Sequence, residues 1–354
     1  MTFTDRKSLL SAERRHLLQA AGAAAGLALA PRLGWSQSGE LTVTNWGGDW
    51  NDRTVRFIEA PLVESKGIKI VRALNLEPER KAKLLAERNL PRGTIDIAHF
   101  SGADAFELNE QGLWDTLDAS KIPNLANVRA PLRSPYFVPW VFGGVTIAYN
   151  PKFIKEPPTS LADLWNPKYA GKLGVLDQSF FNWIYMAALV GGGKMNNVDP
   201  AWAKLAEMKQ SMKPRIYPTH QQMAAGFASE EVWIAANYSA RIAQWAKDGV
   251  SVRSSYPKEG AITIVFGAAM PKKARNKEAG YHYLNSLLDP KGVGQYAAAS
   301  MYAPSTTNAE LTPEVKAAID FTPDQAKSFN NVDYAYQAKN IAGWLERWNK
   351  EFKG

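Results

Sequence analysis

Beyond about residue 40, apolar and polar positions follow two rhythms, one of period two and one of period 3.6. Leu41-Thr42-Val43-Thr44-Asn45-Trp46 alternates and is rich in β-formers, so it predicts a strand. Gly47-Gly48 breaks it, and Asp49 is placed to cap a helix running to about residue 66. Residues 68–71 predict a short strand, and a helix begins near Pro78, a residue suited to a first helical turn. Residues 95–98 predict a third strand, and Ser101-Gly102 opens a helix to about residue 112. This order predicts an α/β domain with a largely parallel sheet.

The rhythm resumes after a strand-like crossing at 145–149. Strands are expected at 173–176, 232–237 and 262–265, with the last carrying the chain back to the first unit. Helices are expected at 180–190, 201–212, 239–248 and 277–288 and in the tail from residue 312, and Tyr302-Ala303-Pro304-Ser305 is expected in a loop. Two α/β units joined by strand crossings predict a hinge with a cleft between lobes. We expect one lobe from 37–147 plus 266–310, and the other from 148–265 plus 311–354 with the C-terminal helices.

Residues 1–36 do not follow either rhythm. Arg14-Arg15 precedes an uncharged Ala/Leu/Gly run over 17–30, which at 14 residues is short for a bilayer span of about 20. Gly34-Trp35-Ser36 offers small residues at the positions a signal peptidase reads. This is the plan of an export signal, and its paired arginines resemble a twin-arginine signal. Its removal takes five basic and two acidic residues and lowers the net charge from +8 to +5. The product is expected to be soluble in a periplasm.

Composition narrows the chemistry. The 354 residues contain no Cys, which excludes disulfide scaffolds, thiolate metal sites, cysteine nucleophiles and a lipid anchor on an N-terminal Cys. Lys and Arg are mixed with acids along the chain. The densest basic group, Lys272, Lys273, Arg275 and Lys277, has no interleaved aromatic residue, so it predicts a solvated face and no nucleic-acid partner. His99, His220 and His282 are far apart in sequence and are expected to be partly exposed; neither metal nor cofactor is expected. Gly191-Gly192-Gly193-Lys194 follows a helix and continues with Met195, so it predicts a helix stop rather than a phosphate loop. No nucleophile elbow, triad or paired-acid motif is present, and no enzyme is expected.

The informative positions are strand-to-helix turns, because strand carboxyl ends face the ligand crevice in such sheets. Trp46-Gly47-Gly48-Asp49-Trp50 and Ser101-Gly102 lie at two of them. Trp46 and Trp50 suit the covering of a ligand face or core packing. Asp49 suits a cap or a ligand contact. N–H groups at the start of the helix at Ser101 suit ligand oxygens.

Several stretches together resemble the polyamine-binding (spermidine/putrescine) branch of ABC transporter substrate-binding proteins. They are Asn45-Trp46, Asp96-Ile97 leading to Ser101, the block from Ser160 through Asp163-Leu164-Trp165-Asn166-Pro167 to Lys172, Tyr256-Pro257-Lys258-Glu259-Gly260, Tyr302-Ala303-Pro304, and Trp344-Leu345-Glu346-Arg347-Trp348-Asn349. The resemblance implies a two-lobe type II periplasmic-binding ("Venus flytrap") fold. It also implies a monomeric receptor that captures a small organic solute by closing and delivers it to an inner-membrane ABC permease. It places the family's aromatic wall on Trp46, its serine on Ser101 and its late tyrosine on Tyr302. Positions where the family grips amines with carboxylates fall on Ser179, Asn182 and Phe266, and a family aromatic falls on Ala236. The expected solute is therefore amino-acid-like or an organic acid, with Asn237, Tyr238 and Arg241 completing the pocket. Arg241 suits a fork on a carboxylate or a surface position. The alternatives are a true polyamine receptor using Asp49, Asp104 or Asp177 as substitute acids, and an enzyme or ferric-ion carrier on the same fold.

Overall fold

The computed structural model describes residues 39–354. The export signal expected over 1–36 lies outside the described residues. The first strand forms as β1 (Glu40–Asn45), parallel to β2 (Lys69–Leu74). Between them α1 (Gly48–Thr54) continues into a π-helical stretch, Val55–Val63, and a 3-10 turn, Glu64–Lys66. Pro61 lies in that stretch and cannot donate to an α-helical ladder, so the regular pattern is interrupted there. Asp49 is not the cap. Gly47 holds that position, and Asp49 lies inside the first turn, paired with Arg53 at 2.9 Å. Gly47 (φ +75°) and Gly48 (φ +51°) are both left-handed, so the chain has turned into the helix before Asp49 is reached.

The helix α2 (Glu77–Glu87) leads to β3 (Ile97–Ser101), again parallel to β1, and then to α3 (Gly102–Glu110). Strand β4 (Val138–Tyr149) is buried along its whole length and starts well before the expected crossing. A register shift between Pro139 and Val141 absorbs the proline that would otherwise break the ladder. Then come β5 (Leu173–Leu176), α4 (Phe180–Val190), α5 (Ala201–Met212), β6 (Arg215–Tyr217), α6 (His220–Ala228), β7 (Ile234–Tyr238), α7 (Ser239–Lys247) and β8 (Arg253–Ser255). Strand β9 (Ile262–Ala269) is followed by α8 (Lys277–Leu287), α9 (Pro290–Ser300), β10 (Ala303–Pro304), α10 (Pro313–Ile319), α11 (Pro323–Lys327) and α12 (Tyr334–Arg347). The expected loop at Tyr302 thus contains a two-residue strand, whose Ala303 and Pro304 pair with Phe142 and Val141.

The strands form one sheet in the order β2-β1-β3-β9-β4-β7-β5-β6, with β8 and β10 also on β4. Its two ends are parallel blocks, β2-β1-β3 and β7-β5-β6. Its middle is antiparallel, because β4 and β9 pair with each other and run in opposite directions. The two blocks are therefore joined only through β4 and β9 within the sheet. The C-terminal α12 contacts both sides: Tyr334 lies against Phe106 of α3, and Trp344 packs edge-on to Tyr185 of α4 at 5.5 Å.

Two helices escape the hydrophobic rhythm. Thr219 caps α6, and Asp289 caps α9 with Pro290 in the first turn. Glycines 292 and 294 give α9 a loop-like sequence. A β-carbon at Gly292 would meet Ile58 at 2.8 Å, and one at Gly294 would meet the Glu310 carbonyl oxygen at 2.2 Å. The glycines are there because neighbouring chain comes that close, at a helix cost of about 1 kcal/mol each.

The central crossing is equally tight. A β-carbon at Gly267 in β9 would sit 2.0 Å from the Val138 carbonyl oxygen of β4. Gly267→Ala is expected to lower stability by about 1–3 kcal/mol through overpacking. The measurement is the urea midpoint, which should fall at unchanged m-value; an unaltered midpoint would show that the crossing yields freely.

Candidate functional site

Three strand-to-helix turns of the first block and two helix starts of the second converge on Phe266 and Tyr302. The Asn45 side chain accepts the Gly47 amide at 2.8 Å, and the two left-handed glycines let the chain reverse there. Trp46 and Trp50 are thereby brought together, 4.6 Å between ring centres and edge-on. Both touch Phe266 of β9 at 5.7 Å. Phe266 in turn meets Tyr302 at 5.6 Å and Tyr238 at 6.3 Å, and the Tyr238 hydroxyl lies 3.2 Å from Ser179 Oγ. Ser179, Tyr238, Phe266, Tyr302, Trp46 and Trp50 therefore form one continuous wall.

The two tryptophans divide their tasks. Trp50 also meets Trp140, Tyr296 and His99, which makes it the foot of the core. Trp46 is held at its edge and on one face. Its Nε1 donates to Glu77 Oε2 at 3.3 Å, and the Arg80 guanidinium lies over its ring at 4.4 Å. Arg80 is fully buried, also lies over Phe100 at 5.1 Å, and donates Nη1 to the Asn75 carbonyl. Its Nε and Nη2 have no partner. Burial lowers its guanidinium to about 10, so it remains cationic.

Glu77 is the principal residue the sequence reading passed over. It opens α2, at the turn after β2, the one strand-to-helix turn of this block not singled out; its position there was the available signal. One oxygen holds Trp46, and the other accepts the Ser101 amide at 2.6 Å. The Ser101 Oγ takes the Asp104 amide, so the N–H and hydroxyl expected to meet a ligand are bonded within the protein. Burial first, and the Asp104 charge second, push the Glu77 carboxyl up to about 7.

The remaining expected residues separate. Asn237 is buried, its Oδ1 accepting the Tyr238 amide at 2.8 Å and its Nδ2 facing Met223 sulfur, which is a packing role. Asn182 is buried with Oδ1 unpartnered. Arg241 is exposed at the start of α7, and its charge acts on the Tyr302, Tyr238 and Tyr296 hydroxyls, working against the burial that raises all three. Asp49 is spent on Arg53, and Asp104 pairs with Lys81 at 3.1 Å. Asp177 accepts Trp348 Nε1 at 2.8 Å and Lys353 at 2.7 Å.

Two histidines are buried, contrary to expectation. His99 is fully enclosed with Nε2 2.9 Å from the Tyr283 hydroxyl, and burial, then Arg80, lowers it to about 3. His220 is 6% exposed and lies 5.0 Å from the Tyr238 ring with Nδ1 unpartnered. Burial, then Arg241, lowers it to about 4, so it enters the site neutral. Their sequence spacing gave no hint, because burial here follows from sheet packing.

A cavity of about 260 Å³ is lined by Gly102, Tyr136, Thr263, Val265, Asn331 and Tyr334 among others, and by none of the six residues of the wall. Among the described residues no group of three or more His, Asp or Glu side chains could hold a metal ion, and no helix is long and apolar enough to cross a membrane.

A family model for bacterial extracellular solute-binding protein matches residues 60–323. The spermidine/putrescine-binding periplasmic protein 1 of Haemophilus influenzae is 31% identical over 276 residues, covering 74% of this chain and 75% of that protein. The gamma-aminobutyric acid-binding protein of Pseudomonas aeruginosa is 24% identical over 327 residues, covering 89% and 91%. Among solved structures, an ABC transporter substrate-binding protein from Bradyrhizobium japonicum superimposes with a TM-score of 0.77 at 25% identity, covering 88% of this chain and 99% of that one.

The raised Glu77 carboxyl has a consequence for the free protein. The folded state holds this proton more tightly than the unfolded chain does. Stability from this group is therefore full below the ordinary 4.5 and is lost as pH rises toward about 7. Glu77→Gln should flatten the decline across that window, read as melting temperature against pH. An unchanged profile would place the Glu77 carboxyl in the ordinary range.

Proposed function

The chain belongs to the bacterial extracellular solute-binding protein family, and we propose that it is the periplasmic receptor of an ABC importer for a small organic acid or amino-acid-like solute. Export over residues 1–36, a monomeric state and closure about β4 and β9 complete the proposal. The solute bridges Trp46 on one side and Ser179, Tyr238 and Arg241 on the other, with Phe266 and Tyr302 behind it. Contacts from both sides stabilise the shut form, which the permease recognises. The solute is bound and released without reaction.

Family membership alone leaves the solute open, since one relative is named for polyamines and another for gamma-aminobutyric acid. The observation that supports the organic-acid reading is the placement of charge. Each acid nominated for gripping a polyamine is engaged elsewhere: Asp49 by Arg53, Asp104 by Lys81, Asp177 by Trp348 and Lys353. The second block instead offers the Arg241 cation beside Tyr302 and Tyr238. A diamine would bring one ammonium toward that guanidinium with no counter-charge, which is costly in a partly desolvated site.

Isothermal calorimetry tests this. Short carboxylates and amino acids are expected to bind, whereas spermidine and putrescine are not expected to reach micromolar affinity. Arg241→Ala should weaken the carboxylate ligand by about 10- to 100-fold, the worth of one charge-assisted hydrogen bond of about 1.5–3 kcal/mol. Micromolar or tighter binding of spermidine or putrescine would overturn the assignment.

A further inference from the structure

Resting on that assignment, we infer that the solute is a zwitterion, with its ammonium received by the Glu77 carboxylate beside Trp46 and its carboxylate turned toward Arg241. Glu77 combines three properties. It is half-buried in the aromatic wall, holding the indole N–H of Trp46 and the Ser101 amide. The described residues give it no ion-pair partner. Arg80, the cation that acts on it, donates to the Asn75 carbonyl and leaves two guanidinium nitrogens unpartnered. A carboxylate offers about four acceptor positions, and the Trp46 indole with the Ser101 amide and hydroxyl take three, so one remains for a solute.

The charges around Glu77 give the two sides opposite sign. On its own helix are Arg80 and Lys81; from α3 come Asp104 and Glu107, both paired with Lys81. Glu79 of the same helix and the Asp49–Arg53 pair of α1 also act here, so with Glu77 ionised five carboxylates stand against three cations on this side. From the other side Tyr238 faces it, and there Arg241 is the charged group while His220 is neutral. Glu77 and Arg241 act on the Tyr238 hydroxyl in opposite senses, so both charges are felt at this ring. A solute with one positive and one negative end matches both. A simple acid leaves Glu77 without its partner, and a diamine meets Arg241.

The aromatic residues agree with a single ammonium. One face of Trp46 already carries the Arg80 guanidinium, so a cation centred on the opposite face would be repelled across the ring. A cation at the edge beside Glu77 avoids that repulsion and meets the acid directly. Binding there favours the ionised carboxylate, so a proton leaves Glu77 as the ammonium arrives.

The test compares three probes on the whole protein by calorimetry: gamma-aminobutyric acid, butyric acid and butylamine. The zwitterion is expected to bind at least about tenfold more tightly than either half-molecule. At neutral pH its observed enthalpy should change with the ionisation enthalpy of the buffer, reporting proton release. Glu77→Gln should abolish that buffer dependence and bring the zwitterion's affinity down to that of butyric acid. Equal affinity of wild-type protein for gamma-aminobutyric acid and butyric acid overturns the inference while leaving the organic-acid receptor standing, and binding of none of the three overturns both. Tighter binding of butylamine or putrescine than of either carboxylate overturns the receptor assignment itself. Because the probes vary the ligand on unaltered protein, a variant that fails to fold does not decide the result.

Discussion

The pairing of β4 with β9 is the interaction on which the rest of the molecule depends. Among the described residues these two strands form the only ladder that joins the parallel block β2-β1-β3 to the parallel block β7-β5-β6 within the sheet. They run in opposite directions, so the chain crosses once and returns. Their closeness is set by Gly267 against the Val138 carbonyl and by the bulge at Pro139. Two parallel strands have a fixed direction, and their carboxyl ends carry the turns that reach ligand. Joining two such blocks edge to edge through antiparallel strands sets turns from both blocks around the crossing. Phe266, which sits on β9 and pairs with Ser101, is therefore touched by rings from both blocks.

The site built on this crossing is mostly rings with few charges, and the charges are therefore decisive. In a wall of Trp46, Trp50, Phe266, Tyr238 and Tyr302 the effective dielectric is low, and each ionised group acts over a longer range than at the surface. Arg80 behind Trp46 and Glu77 at its edge set the character of one side. Arg241 sets that of the other. The neutral His220 and the buried Asn182, each with an unpartnered atom, are left to adjust polar contacts without adding charge.

Much of the frame is legible in the residues themselves. The helices Phe180–Val190 and Ala201–Met212 and the strand Leu173–Leu176 lie where the hydrophobic rhythm places them, because their apolar periods are unbroken and bounded by turn residues. The two parallel blocks follow from strand–helix alternation. Gly191 ends α4 and Gly192 is left-handed at φ +83°, as a helix stop requires. The turn at Trp46 was legible for the same kind of reason, since two glycines after a strand leave few other conformations.

What lay outside the sequence is the set of choices made by distant partners. Asp49 is a good cap by type, yet the left-handed glycines before it moved the helix start. The burial of His99 and His220 is decided by Tyr283 and Tyr238, far away along the chain. Helix α9 hides behind Gly292 and Gly294, whose reason is the approach of Ile58 and Glu310. Asp177 and Asp104 carry the right charge, and only their neighbours Lys353 and Lys81 remove them from the site. Local periodicity determines which segments become strands and helices, because it depends on residues a few positions apart. Which side chain remains free to meet a solute depends on contacts between segments tens to hundreds of residues apart, and only the packed structure settles those.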